Sequence, residues 1–153
     1  MRHFGAPLVN SACKKGIVSF ELAKHIENSQ AILNSWNEPA KISAALSLGF
    51  DFVFLVLYSL FVALLIYKLK TGLRKNKWLY RFGNVLIWAA FLMALSDSIE
   101  NIALIRLLQG DIRQVWASTA YFFAVLKFSL LAICVLYILV GFGFLLFKKI
   151  RNA

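Results

Sequence analysis

Apolar positions along this chain gather into long blocks, and polar positions mark where the blocks end. Three blocks, residues 42–67, 82–108 and 115–147, are long enough to cross a hydrocarbon core, which takes roughly 20 helical residues at 1.5 Å each. The third invites division into two spans, but it holds no proline, and its only glycines, Gly141 and Gly143, come near its end. Two crossings with a turn need roughly 40 residues, so it reads as one long helix. Residues 16–37 follow another pattern. On a 3.6-residue period Val18, Leu22, Ile26, Ile32, Leu33 and Trp36 fall on one arc, while Lys24, Glu27, Asn28, Gln30 and Asn34 take the other side. That spacing predicts an amphipathic helix over 16–37, lying at the membrane interface or folded as a roof over the spans, and closed by Pro39. The predicted fold class is all-α: three transmembrane helices plus an N-terminal amphipathic interfacial helix. It forms a single membrane domain over 1–153, with residues 1–40 as an outer-side segment.

Composition turns these long helices into membrane helices. Hydrophobic residues make up 61% of the chain, charged residues only 16%, and the mean hydropathy is +0.73, well outside the balance of a soluble domain. The formal charge of +10 raises the question of nucleic acid. Its distribution argues against that partner, because nine basic residues sit in two short segments, 68–81 and 148–151, each directly after an apolar block. Such segments face the cytoplasm and the anionic headgroups of the lipid bilayer. The expected orientation is therefore N-terminus outside and C-terminus cytoplasmic, as three crossings require, in a bacterial inner membrane. Cys13 and Cys134 lie in unlike surroundings and form no CxxC pair, so neither a structural disulfide nor thiol-based zinc chemistry is expected. No apolar stretch precedes Cys13 to serve as a leader for lipidation.

Against this apolar background the string ALSDSIENIAL, residues 94–104, stands out, since carboxylates within a membrane are costly. Asp97, Glu100, Asn101 and Leu104 are spaced i, i+3, i+4, i+7 and share a helix face. Asp51 interrupts the first span and Lys127 the third. At 1.5 Å per residue the three carboxylates lie about 24 to 29 Å, and Lys127 about 31 Å, from the basic ends of their spans. The faces are expected to turn inward as one polar cluster near the outer leaflet, with Lys127 neutralising one carboxylate. His25, from the roof helix, is the candidate to join it.

Two kinds of chemistry suit this set. Interhelical polar contacts drive association where lipid supplies no hydrophobic force, so the cluster can be helix glue. Three carboxylates against one lysine leave a negative excess, which alternatively suits a proton, an ion or a small cationic ligand; with His25 the donors would hold a divalent metal loosely. A lipid-headgroup enzyme is the third reading, but no nucleophile elbow, phosphate loop or HExxH string accompanies the carboxylates. No catalytic residue is assigned, the metal question stays open, and no cofactor is implied by the aromatic content, which suits span packing and interface belts. The leading expectation is a small accessory or structural membrane protein, a subunit of a larger complex or a homo-oligomer.

The strings GIVSFELA and AILNSW, SLGFDFVFLVLY and LSDSIENIAL together resemble an uncharacterised family of small bacterial inner-membrane proteins. The similarity covers most of residues 16–105, and in the third span it extends only to Lys127. The resemblance implies a bacterial membrane location and a shared fold, and it assigns no catalytic residue.

Overall fold

The computed structural model describes residues 6–74 and 76–151, without the side chains of residues 148, 149 and 151. Lys75 and the side chains of Lys148, Lys149 and Arg151, four of the nine clustered basic residues, therefore lie outside what is described, as do residues 1–5 and 152–153. The described residues contain no strand. A 3₁₀ turn at Ala6–Leu8 is followed by five α-helices: α1 Ile17–Glu21, α2 Ile26–Ser35, α3 Glu38–Gly72, α4 Lys77–Leu108 and α5 Gln114–Arg151. Helices α3, α4 and the portion Gln114–Phe147 of α5 are long and apolar enough to cross a membrane. The all-α, three-span architecture follows, with an amphipathic helix before it: α2 buries Ser29, Ile32 and Leu33 and leaves Glu27, Asn28, Gln30 and Asn34 exposed.

Two boundaries differ from expectation. The helix anticipated over 16–37 is broken at Leu22–His25, where Lys24 takes a left-handed backbone with φ of 60°. Hydrophobic spacing could not reveal this, because both halves keep the same apolar arc. Pro39, expected to close the N-terminal segment, instead lies in the first turn of α3. A proline is tolerated there because that N–H has no helical partner in any case. Asn37 caps the turn, its Oδ1 accepting from the Ala40 N–H at 3.0 Å.

Packing divides the chain into two compact units. The first comprises the N-terminal residues through Leu55 together with Ser96–Leu126; the second comprises Val56–Leu95 and the residues from Lys127 onward. In the first, α1 and α2 share a core with the α3 residues Ala40, Ala44 and Leu48, the α4 residues Ala103, Leu104 and Leu107, and the α5 residues Ala117 and Ala120. Small residues on α3 and α5 let backbones approach, while Phe20 and Trp36 fill the centre edge to face, with ring centroids 5.3 Å apart. The Trp36 indole N–H donates to the Leu8 carbonyl at 3.1 Å and ties down the start of the chain.

Gln114 at the head of α5 secures the α1–α2 break. The N-cap residue of α2, His25, makes no side-chain cap bond. In its place the Gln114 Oε1 accepts from the Ile26 N–H at 2.9 Å, and its Nε2 donates to the Lys24 carbonyl at 3.0 Å and to the Ser118 Oγ at 2.7 Å. Nearby, Asp111 accepts from the Arg113 guanidinium, at 2.6 Å on each oxygen, and from the Trp116 indole at 2.7 Å. These donors hold its carboxyl below the usual range, the Arg113 hydrogen bond contributing most.

The second unit is built on Val62, Ala63 and Ile66 of α3, Leu86 and Ala90 of α4, and Cys134 and Tyr137 of α5. Close approach is achieved at glycine. A Cβ on Gly83 would fall 2.5 Å from the Tyr137 hydroxyl, and one on Gly141 would fall 2.5 Å from Leu69 Cδ2. The Tyr137 hydroxyl donates to the Leu79 carbonyl at 3.0 Å.

Replacing the Gln114 cap by alanine is expected to cost about 1 kcal/mol, the usual worth of a helix cap. Hydrogen exchange at the Ile26 amide should quicken selectively, and unchanged protection there would contradict the assigned role. A second expectation concerns Cys13, which is fully buried and donates its thiol to the Gly16 carbonyl at 2.9 Å. Burial pushes its pKa up. The stability this confers is complete below the unfolded thiol value of about 8.5 and is lost as pH rises from there through the folded value. Unfolding measured at increasing alkaline pH should fall less steeply for Cys13→Ala than for wild type.

Candidate functional site

The polar residues singled out from the sequence sit at positions where the helices otherwise place core residues. On α3 the buried series Ala40, Ala44, Leu48 and Leu55 has Asp51 at its helical step. On α4 the buried series runs Met93, Asp97, Glu100, Leu104 and Leu107, so two carboxylates occupy core positions. Asp97 is 3% exposed, and Glu100, Asn101 and Ser96 are 0% exposed, whereas Asp51 is half-buried. Asp97, Glu100, Asn101 and Ser96 are thus buried on the inner side of α4.

One contact joins the two helices directly. The Asn101 Nδ2 donates to the Asp51 Oδ2 at 2.9 Å. The opposite face of the same carboxamide differs: among the described residues the buried Asn101 Oδ1 accepts no hydrogen bond. Asp51, Asp97 and Glu100 are none of them free; each interacts with other groups of the chain. A carboxylate held in this way helps to fix the rotation of its helix, because turning it toward lipid would expose the charge at a cost of several kcal/mol.

The other two expected members come from other elements, and Lys127 is engaged within the chain. Lys127 belongs to the second unit, where it lies on the buried stripe of α5, 8% exposed, with its Nζ 5.1 Å from the centre of the Phe128 ring. His25 is exposed at the start of α2. Its anticipated place over the carboxylates assumed an unbroken helix through residues 16–37, and the turn at Lys24 removes that assumption. Among the described residues no three of His, Cys, Asp and Glu lie close enough to hold a metal ion.

Glu21 is a member of the buried polar set that the hydrophobic pattern did not bring forward. It is 7% exposed and engaged within the chain. Its signal was its place four residues after Ile17 and next to Phe20, on the apolar side of α1. Gln114 was also missed, and no local pattern marks it, since its partners lie 88 and 90 residues away in sequence.

The Asp51–Asn101 bond can be measured as a coupling. Asn101→Ala removes both the donor and the unmatched Oδ1, so its single effect mixes a loss with a relief. A double-mutant cycle of Asp51→Ala and Asn101→Ala in detergent should return a favourable coupling of about 1 kcal/mol, near the value typical of interhelical hydrogen bonds in membranes. Additivity of the two changes would show that the contact does not hold α3 to α4.

Comparison with protein-family models, with curated proteins and with solved structures finds no match, so the functional reading rests on the residues themselves.

Proposed function

We propose that this chain is a small accessory or structural membrane protein, a subunit of a larger complex in a bacterial inner membrane, whose buried polar residues act as helix glue. The observation that carries this reading is the engagement of the cluster: Asp51, Asp97 and Glu100 each interact within the chain, and Asn101 joins α4 to α3. A site devoted to a substrate would keep its polar groups directed into an accessible space. The partner surface in this reading is apolar. Only 17% of the most hydrophobic window of the third span is buried within the chain, which leaves the rest for lipid or for a neighbouring helix. The basic segment 68–81 supports placing the α3–α4 turn and the C-terminus on the cytoplasmic side, with the N-terminus outside.

A second reading, binding of an ion or a small ligand at the Asp/Glu cluster, is favoured by the buried Oδ1 of Asn101, which accepts no hydrogen bond among the described residues and could face a cation or a donor.

Affinity purification in mild detergent is expected to recover a stoichiometric integral-membrane partner or a homo-oligomer; repeated recovery of the lone chain would remove the subunit reading. Orientation is tested separately, in a Cys13→Ala background, because Cys13 is buried and a poor reporter. Asn34 and Asn76 are both exposed. Asn34→Cys should react with an impermeant thiol reagent added to intact spheroplasts and Asn76→Cys should not, and the reverse pattern would invert the topology.

A further inference from the structure

Charge is partitioned between the two compact units. All seven acidic residues fall at or before Asp51 or between Asp97 and Asp111, so the unit formed by Val56–Leu95 and the residues from Lys127 onward contains none. The same unit carries ten of the seventeen basic residues, and the other unit is balanced at seven of each sign. Cations clustered around the α3–α4 turn thus have no carboxylate of their own unit to neutralise them.

Described residues on either side of position 75 are tied by hydrogen bonds. Leu73 is buried, its N–H donates to the Lys70 carbonyl at 3.0 Å, and the Asn76 N–H donates to the Leu73 carbonyl at 2.9 Å. Asn76 caps α4 through its Oδ1, which accepts from the Leu79 N–H at 3.2 Å. Lys70 is internal and held by neutral groups: its ammonium donates to the Asn84 Oδ1 and lies 5.2 Å from the ring centres of both Tyr67 and Tyr80. Lys68, Arg74, Lys77 and Arg81 are exposed. Among them Trp78 is 69% exposed and stacked on Phe82, with centroids 5.3 Å apart and an interplanar angle of 13°. Exposed indole beside exposed cations is the composition of a membrane headgroup layer contact, in which the ring sits at the polar boundary and the cations meet phosphate.

The position of the turn identifies the counter-charge. Only residues 73–76 separate two membrane-length helices, so a chain that spans the bilayer holds this turn at headgroup depth. We propose that the α3–α4 turn is a binding site for anionic phospholipid, with Lys68, Arg74, Lys77 and Arg81 on the headgroup phosphates and Trp78 at the boundary with the acyl chains. This inference uses the membrane-length helices and is independent of the accessory-subunit reading, so either can fail alone.

The test equilibrates the purified full chain in mixed micelles of phosphatidylcholine and phosphatidylglycerol and quantifies the retained lipid by mass spectrometry. Phosphatidylglycerol should be enriched over its bulk share, the enrichment should decline with added salt, and excess inorganic phosphate at matched ionic strength should not displace it. Each exposed cation replaced by glutamine should lower the enrichment about fivefold, from a worth of about 1 kcal/mol per basic residue at the surface. Arg74→Gln alone should therefore give a partial loss, readable even if the fourfold variant does not fold, while Lys14→Gln in the other unit should leave the enrichment intact. Equal retention of the two lipids by wild type, equal enrichment in Arg74→Gln, or displacement by inorganic phosphate would each overturn the proposal. So would recovery of a bound acidic protein in place of the lipid.

Discussion

A carboxylate carried by a membrane-length helix has to find its partners within the protein, and the meeting of Asp51 with Asn101 is where α3 and α4 satisfy this requirement together. Lipid offers no hydrophobic reason for either helix to prefer one rotation over another. Polar groups at core positions supply that reason. Once Asp97 and Glu100 face inward, Leu104 and Leu107 follow on the same stripe, and once Asp51 faces inward, so do Leu48, Ala44 and Ala40. The apolar core of the first unit is thus in register with its polar residues, and the large side chains Phe50, Val53, Phe54 and Leu57 are left on the outside.

The second unit meets the same requirement with different means. Its one buried cation on α3, Lys70, is accommodated by an amide oxygen and two aromatic faces, and its helices approach through Gly83 and Gly141. The second unit contains no acidic residue at all. The first unit, balanced in sign, instead uses specific bonds from Gln114 and Trp36 to tie short N-terminal helices onto its core.

Much of this architecture could be read from the chain because membrane insertion is decided by averages. Hydropathy over twenty residues marks the spans, and a heptad-like spacing marks the inward face of Asp97, Glu100 and Asn101. What could not be read depends on single residues and distant partners. The left-handed turn at Lys24 leaves the apolar arc of residues 16–37 intact, so one helix and two helices look alike in the pattern, and the place of His25 changes with the choice. Pro39 marks a boundary without indicating which side of it is helical. The hydrogen bonds of Gln114 span most of the chain, and periodicity carries no information about them.

In the proposed reading the buried carboxylates and Asn101 hold helices together. The melting temperature of the wild-type protein in mild detergent, with sodium, ammonium or divalent ions added and with a chelator, distinguishes this role from ligand binding. Helix glue gives no shift beyond that of a matched change in ionic strength, and the same indifference in Asp97→Asn. A saturating rise in melting temperature with one ion, following RT ln(1 + [L]/Kd) and abolished by Asp97→Asn, would contradict it and identify the cluster as a binding site.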